Sequence, residues 1–241
     1  MILDIRNLTK LYSNGRGVEN ISFSLAPGEV LGLLGPNGSG KTTTMKAIAG
    51  LVRVNNGEVR VCGVDALSNH EKAMLHTSCL IEAPALYEHL SIQKNMQMAA
   101  RFYPYVNERD IAEVLTSVEM YMYRNDKVRN LSLGMRQRVG LALALLPKSE
   151  LIILDEPANG LDIEGMMLVR NVIMHAASRG SAVLVSSHLA NEVQQCATKV
   201  AVIYGGKLRG LHGMDEIMHR YTSVEEYFMD MVNKSRGGYA R

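Results

Sequence analysis

Gly35-Pro36-Asn37-Gly38-Ser39-Gly40-Lys41-Thr42 sets glycines at close intervals ahead of a lysine and a hydroxyl residue, with Thr43 and Thr44 following. Glycine lets backbone N–H groups turn inward and lets an anion approach the chain closely. A lysine closing such a loop reaches the outer phosphates of a nucleotide, and the hydroxyl after it suits Mg²⁺. A second chemical cluster lies in Leu151-Ile152-Ile153-Leu154-Asp155-Glu156-Pro157. Asp155 is suited to hold a metal ion through water, and Glu156 to polarise an attacking water as general base. Taken alone, the two carboxylates would also serve to cap a following helix.

Both clusters need elements that hold them. Val30–Leu34, Leu151–Leu154, Ala182–Val185 and Val200–Ile203 are short apolar runs bounded by turns. Runs of this kind, separated by helical patterns, predict an α/β fold with a mainly parallel, helix-covered sheet. A helix is expected from Thr42 to Leu51, so that the phosphate loop joins a strand to a helix N-terminus with its positive dipole end. The acidic pair then falls at the carboxyl end of a strand, where ligands of α/β sheets sit. Between Ser91 and Leu146 no strand is expected. Ile92, Met96, Ala99 and Phe102 recur at helical spacing behind Ser91 as N-cap, and Ile111, Val114, Leu115 and Val118 repeat the pattern. These stripes predict core packing within a helical insertion. The polar end from Lys234 to Arg241 is expected to fray.

Composition bounds the function. The 241 residues are 47% hydrophobic, ample for one domain with a subdomain. Lys and Arg total 26 against 24 Asp and Glu, a balance that gives no electrostatic footprint for nucleic acid. Cys62, Cys79 and Cys196 lie far apart with no Cys-x-x-Cys spacing, which argues against a zinc site or a disulfide framework and for reduced thiols in the cytosol. The amino terminus lacks a secretory pattern, and no apolar run approaches the roughly 20 residues that span a bilayer. A membrane role must therefore come through a partner.

Leu131-Ser132-Leu133-Gly134-Met135, followed by Arg136-Gln137-Arg138, resembles the signature of ATP-binding-cassette (ABC) proteins, commonly Leu-Ser-Gly-Gly-Gln. Leu133 and Met135 depart from it; Ser132 and Gly134 are kept. A serine and N–H groups at a helix N-terminus make an anion site, and in this family that site completes ATP held by another subunit. The same serine also reads as an ordinary N-cap. The resemblance extends from about Leu3 to Gly213. It implies that Tyr12 stacks on adenine with Val18 beside it, that Gly35, Asn37, Gly38, Ser39, Gly40, Lys41, Thr42 and Thr43 cradle the phosphates, and that Asp162 lies in a loop facing the partner. It implies catalytic roles for Lys41, Glu156 and His188, the last in Ser186-Ser187-His188. It further implies Mg²⁺ at Thr42 and Asp155.

Where this family usually carries a glutamine, in Cys79-Leu80-Ile81-Glu82-Ala83-Pro84, the chain has Glu82. Glu82 is therefore a third expected metal neighbour, acceptor-only where the amide could also donate. A glutamate here, with the Leu-Ser-Leu-Gly-Met variant, is similar to the ATPase subunits of lantibiotic self-immunity exporters. The neighbouring reading is a drug- or bacitracin-type exporter. Non-transport ABC ATPases are disfavoured because the chain has neither a long coiled coil nor a second cassette. P-loop kinases and GTPases are disfavoured by the signature and by the lack of Asn-Lys-x-Asp.

The resemblance implies an ABC-type P-loop core with a mainly parallel sheet, an antiparallel β subdomain and an inserted helical subdomain. The boundaries expected are about 1–86 and 147–220 for the core, about 87–146 for the helical part and about 221–241 for a tail. It also implies ATP and Mg²⁺ as ligands, a homodimer or paired cassette in the ATP-bound state, and integral-membrane permease partners. The expected location is the cytoplasmic face of the membrane.

Overall fold

A computed structural model describes residues 1–237. In chain order the elements are β1 (Leu3–Leu11), β2 (Gly17–Leu25), β3 (Val30–Leu34), α1 (Lys41–Ile48), β4 (Asn56–Val61), β5 (Val64–Asp65), α2 (His70–Met74) and β6 (Thr77–Leu80). Three helices follow, α3 (Ile92–Ala100), α4 (Glu108–Ser117) and α5 (Leu133–Leu145). The chain then returns through β7 (Leu151–Asp155), α6 (Ile163–Ser178), β8 (Ala182–Ser187), α7 (Ala190–Cys196), β9 (Lys199–Tyr204), β10 (Lys207–Gly213), α8 (Met214–Arg220) and α9 (Val224–Ser235).

Two sheets result. The larger has the order β10-β9-β3-β8-β7-β6, parallel throughout except for the β9–β10 hairpin. The smaller, β2-β1-β4-β5, is antiparallel. This is the expected α/β architecture with its antiparallel companion. The central strands β3, β7 and β8 are buried at every position, which is why their sequences are continuous apolar runs rather than alternations.

Alternation reappears in what each strand residue touches. Leu151 and Ile153 belong to the buried cluster that holds Met45 and Ile48 of α1 and Ile5, Ile21 and Val59 of the small sheet. Ile152 and Leu154 face the other way, among Met96, Leu115, Val139 and Leu168 of the helices. The acidic strand thus locks two cores together, and its carboxylates emerge where it ends.

Several expectations are corrected. The helix after the phosphate loop runs Lys41–Ile48, not Thr42–Leu51. Gly50 adopts φ 66°, and Leu51 N–H donates back to Lys46 O at 2.8 Å, closing the helix with a left-handed cap. Phe102 lies beyond α3 and is 80% exposed, so it leaves the stripe that Ile92 and Met96 continue into the core. The stretch from residue 221, expected as a tail, is largely helical. It contains α9, whose Tyr227 is wholly buried over Gly210 of β10. Lys234 and Ser235 are helical rather than frayed, while residues 238–241 of the expected frayed end lie outside the described residues.

Candidate functional site

The phosphate loop is built by exclusion. Gly38 has φ 78°, and a Cβ there would meet nothing within 4 Å, so its surroundings are open. Gly40 has φ 114°, and a Cβ there would stand 2.3 Å from Val18 Cγ1. Gly40 is also the N-cap of α1 and offers no side-chain cap, so the first-turn N–H groups of Lys41 and Thr42 lack an intrahelical acceptor. Among the described residues, the buried Ser39 hydroxyl has no hydrogen-bond partner. Asn37 is exposed at the loop tip and Thr43 is partly buried on α1.

Lys41 is almost fully buried. Its Nζ donates to Gly35 O at 2.8 Å and lies 3.3 Å from Glu156 Oε1. Thr42 Oγ1 donates to Asp155 Oδ2 at 2.7 Å. Ser186, at the end of β8, donates from Oγ to Asp155 Oδ1 at 2.6 Å and accepts from Glu156 N–H at 2.9 Å. Glu156 itself stands at φ 47°, a left-handed turn that swings its side chain off the strand axis. His188 Nδ1 lies 3.1 Å from Glu156 Oε2. A carboxylate accepts, so His188 Nδ1–H is the donor of this contact. Lys41, Thr42, Asp155, Glu156 and His188 are therefore joined in one polar network. Ser186, which has no role in the motif reading, is its hinge. The signal is nonetheless present in the sequence: a serine ending a buried apolar strand must find a polar partner.

A triphosphate fits this cradle: it has an open glycine face, a partnerless buried hydroxyl and an ammonium held only by carbonyls and one carboxylate. Mg²⁺ fits the Thr42 hydroxyl and Asp155 carboxylate, hard oxygen donors already in contact. Glu82 does not join them. It adopts φ 63° and its side chain, 64% exposed, pairs with Lys46 one helical turn beyond Thr42. Hydrogen bonding to Glu82 is the main cause that raises the Lys46 ammonium above its ordinary range, with Tyr12 and Asp155 adding to it. Pro84, just after Glu82, seats against Gly140 of α5, where a Cβ would come within 2.5 Å.

Tyr12 is 39% exposed, with the Lys10 ammonium 4.8 Å from its ring centroid. Val18 differs from expectation: it is wholly buried and supports Gly40 from behind, so it has no surface to offer a base.

Ser132 caps α5, accepting from Met135 N–H at 3.2 Å. Asp162 caps α6, accepting from Gly165 N–H at 2.8 Å. Among the described residues, no hydrogen bond or ion pair links Ser132, Gly134 or Asp162 to Lys41, Thr42 or Glu156. The two cap regions instead interlock with each other. A Cβ on Gly134 would stand 3.2 Å from Leu161 Cδ2, and one on Gly160 would stand 3.3 Å from Leu133 Cδ2. Gln137 Nε2 adds a bond to Pro157 O at 3.3 Å.

Fold and site together define a P-loop nucleotide-binding domain of the cassette type. The profile of the ABC transporter family matches residues 18–159, and the chain belongs to that family: it is an ABC transporter ATP-binding protein and an ATPase. It is 41% identical to the uncharacterized ABC transporter ATP-binding protein YhcH of Bacillus subtilis (strain 168), over 97% of this chain and 76% of that protein. It is 35% identical to the lantibiotic transport ATP-binding protein SrtF of Streptococcus pyogenes, over 86% of this chain and 89% of the other. It is 32% identical to the bacitracin transport ATP-binding protein BcrA of Bacillus licheniformis, over 97% and 77% respectively. A solved structure of the ATP binding subunit of an ABC transporter matches with a TM-score of 0.87, covering 96% of this chain and all of that one, at 24% identity. That likeness bears on the fold. Among the described residues, no helix is long and apolar enough to cross a membrane.

Proposed function

We propose that this chain is the ATP-hydrolysing subunit of an exporter that removes a lantibiotic-type antimicrobial peptide from its producer. Two copies, or two paired cassettes, face each other head to tail on the cytoplasmic side of the membrane and drive integral-membrane permeases. The observation that carries the two-copy reading is the α5 N-terminus, where Ser132 is exposed and Leu133 is 71% exposed, turned to solvent rather than to the chain's own phosphate loop.

In each copy Tyr12 offers a face to adenine, and Gly35, Asn37, Gly38, Ser39, Gly40, Lys41, Thr42 and Thr43 surround the phosphates. Thr42 and Asp155 would hold Mg²⁺, which supplies charge neutralisation on the phosphate oxygens. Lys41 leaves Glu156 when a γ-phosphate competes for its ammonium. The freed Glu156 carboxylate then takes a proton from the attacking water, and His188 keeps Glu156 oriented. Ser132 and the N–H groups near Gly134 bind the partner copy's γ-phosphate, so ATP favours the closed pair by differential affinity. Glu82, balanced by Lys46, sits where the site meets the loop to Tyr87, which we assign to permease contact.

Glu156→Gln should accumulate an ATP-dependent dimer on size-exclusion chromatography. A variant that stays monomeric in ATP and hydrolyses at the normal rate overturns the general-base assignment. Glu82→Gln should alter peptide protection of cells more than ATP binding. The relatives support the peptide-export reading, and BcrA keeps a bacitracin-type exporter as the second one. Protection of cells co-expressing the chain and its permeases, challenged with a cationic lantibiotic and with bacitracin in parallel, separates the two.

A further inference from the structure

Three residues scattered in the sequence meet at the edge of the fold opposite the nucleotide. Cys62 occupies the two-residue turn between β4 and β5, His76 separates α2 from β6, and Glu150 directly precedes β7. One ligand-capable atom from each, sulfur, imidazole nitrogen and carboxylate oxygen, lies within 4.8 Å of the others. His76 Nδ1 is 3.2 Å from Glu150 Oε1. The backbone fixes the group: Leu151 N–H donates to His76 O at 2.9 Å, and Cys62 N–H donates to Ile2 O at 2.8 Å.

Tetrahedral zinc bond lengths require an N···O separation of about 3.4 Å and an S···N separation of about 3.6 Å. The His76–Glu150 pair is already close to that spacing, and Cys62 must close by no more than about 1.2 Å, within reach of a side-chain adjustment. Turn geometry gives no reason for a cysteine here. Cys62 has φ 49° and Gly63 φ 81°, the left-handed pair of a tight hairpin, where asparagine or glycine is the usual first residue.

We propose that Cys62, His76 and Glu150 form a Zn²⁺ site with a fourth position open to solvent. A mixed thiolate, imidazole and carboxylate set suits this borderline ion, whereas Ca²⁺ and Mg²⁺ favour oxygen alone. The His76 and Glu150 side chains are 36% and 49% exposed, so the ion and its solvent ligand have access. Zinc takes cysteine as the thiolate, so binding would release the Cys62 thiol proton. A bound ion ties the antiparallel sheet to the beginnings of β6 and β7. The far ends of those strands lead to Glu82 and to Asp155 and Glu156.

Cobalt reports the site. The full chain, stripped with a chelator and kept reduced, is titrated with Co²⁺ and then with Zn²⁺. One Co²⁺ per chain should bind, with a thiolate charge-transfer band and intense tetrahedral d–d bands that Zn²⁺ abolishes. Cys62→Ser should remove the charge-transfer band, and Cys79→Ser should leave it. Loss of an outer partner of a metal ligand costs about 10- to 100-fold in affinity, so His76→Gln and Glu150→Gln, which change ligands themselves, should each weaken binding at least tenfold. ATP binding confirms that each variant is folded. If Cys62→Ser does not fold, the affinity of Glu150→Gln, a near-isosteric change at a half-exposed side chain, decides between a site and no site. The absence of a saturable one-to-one complex overturns the proposal. So does a band that survives Cys62→Ser or vanishes in Cys79→Ser, or affinity unchanged in Glu150→Gln.

Discussion

Ser186→Ala is the sharpest probe of the proposed catalytic network, because one hydroxyl there serves two groups. Ser186 has no exposed surface, and Asp155 is only 7% exposed. Removing Oγ deprives Asp155 Oδ1 of a donor at 2.6 Å and Glu156 N–H of an acceptor at 2.9 Å. A hydrogen bond to a charged group contributes about 1.5–3 kcal/mol, and an orphaned buried N–H costs about 1–3 kcal/mol. Partial relaxation leaves an expected loss of about 3 kcal/mol. For a domain of this size that lowers Tm by about 6–12 °C. The turnover number should fall as well, because Glu156 loses the bond that anchors its turn; a misplacement of about 1 Å costs on the order of a hundredfold. Thermal unfolding and steady-state ATPase assays on the same preparation read both effects. A variant melting within about 2 °C of the parent, with its turnover number unchanged, would refute the hinge role.

Other outcomes follow from single features. Gly40→Ala puts a Cβ into Val18 at a backbone angle that side chains resist, so it should cost about 1–3 kcal/mol by urea unfolding and abolish binding of a fluorescent ATP analogue. Tyr227→Phe loses only the 2.9 Å contact to His212 Nδ1 and should cost about 1 kcal/mol, whereas Tyr227→Ala should cost about 3–5 kcal/mol; both are measured by urea unfolding. Burial and the Glu192 charge push the Cys196 thiol from 9.0 up to about 11. The folded chain thus favours the protonated thiol, and that contribution is complete below pH 9 and lost as pH rises through about 11. Unfolding free energies measured across this window should fall more steeply for the parent than for Cys196→Ala.

The central strands are legible in the sequence because burial on both faces demands uninterrupted apolar residues, and the phosphate loop because its glycines leave few other readings. The antiparallel strands are harder to read from pattern. Asn7 and Asn20 take left-handed backbone angles, and register shifts on either side of Leu8 break the alternation of β1. β6 escapes a pattern reading because it has only four residues, Thr-Ser-Cys-Leu, and lies at the sheet edge. α9 itself is legible, with Val224, Tyr227, Phe228, Met231 and Val232 at helical spacing behind Ser223 as N-cap; what pattern does not show is Gly210 of β10 making room for Tyr227. The same limit applies at the site. Residue types point to Lys41, Thr42, Asp155, Glu156 and His188, but not to Ser186 joining Asp155 to Glu156 or to Lys46 holding Glu82. Val18 looks like a base neighbour by position, and only packing reveals it as the support beneath Gly40. The Cys62, His76 and Glu150 group has no linear spacing at all, since the topology alone assembles it.

Leu133 beside Gly160 and Leu161 beside Gly134 make a reciprocal contact between two helix starts. Leu133 stays 71% exposed while its Cδ2 lies near Gly160, so this is a surface contact in which each leucine covers the other segment's glycine. The start of α5 and the loop before α6 therefore abut at Gly134 and Gly160. That loop runs back to Glu156, the proposed general base, through the turn bond from Asn159 N–H to Glu156 O at 3.1 Å. The surface at the start of α5 thus lies only a short run of chain from Glu156, and the missing side chains of Gly134 and Gly160 are what let the two segments come this close.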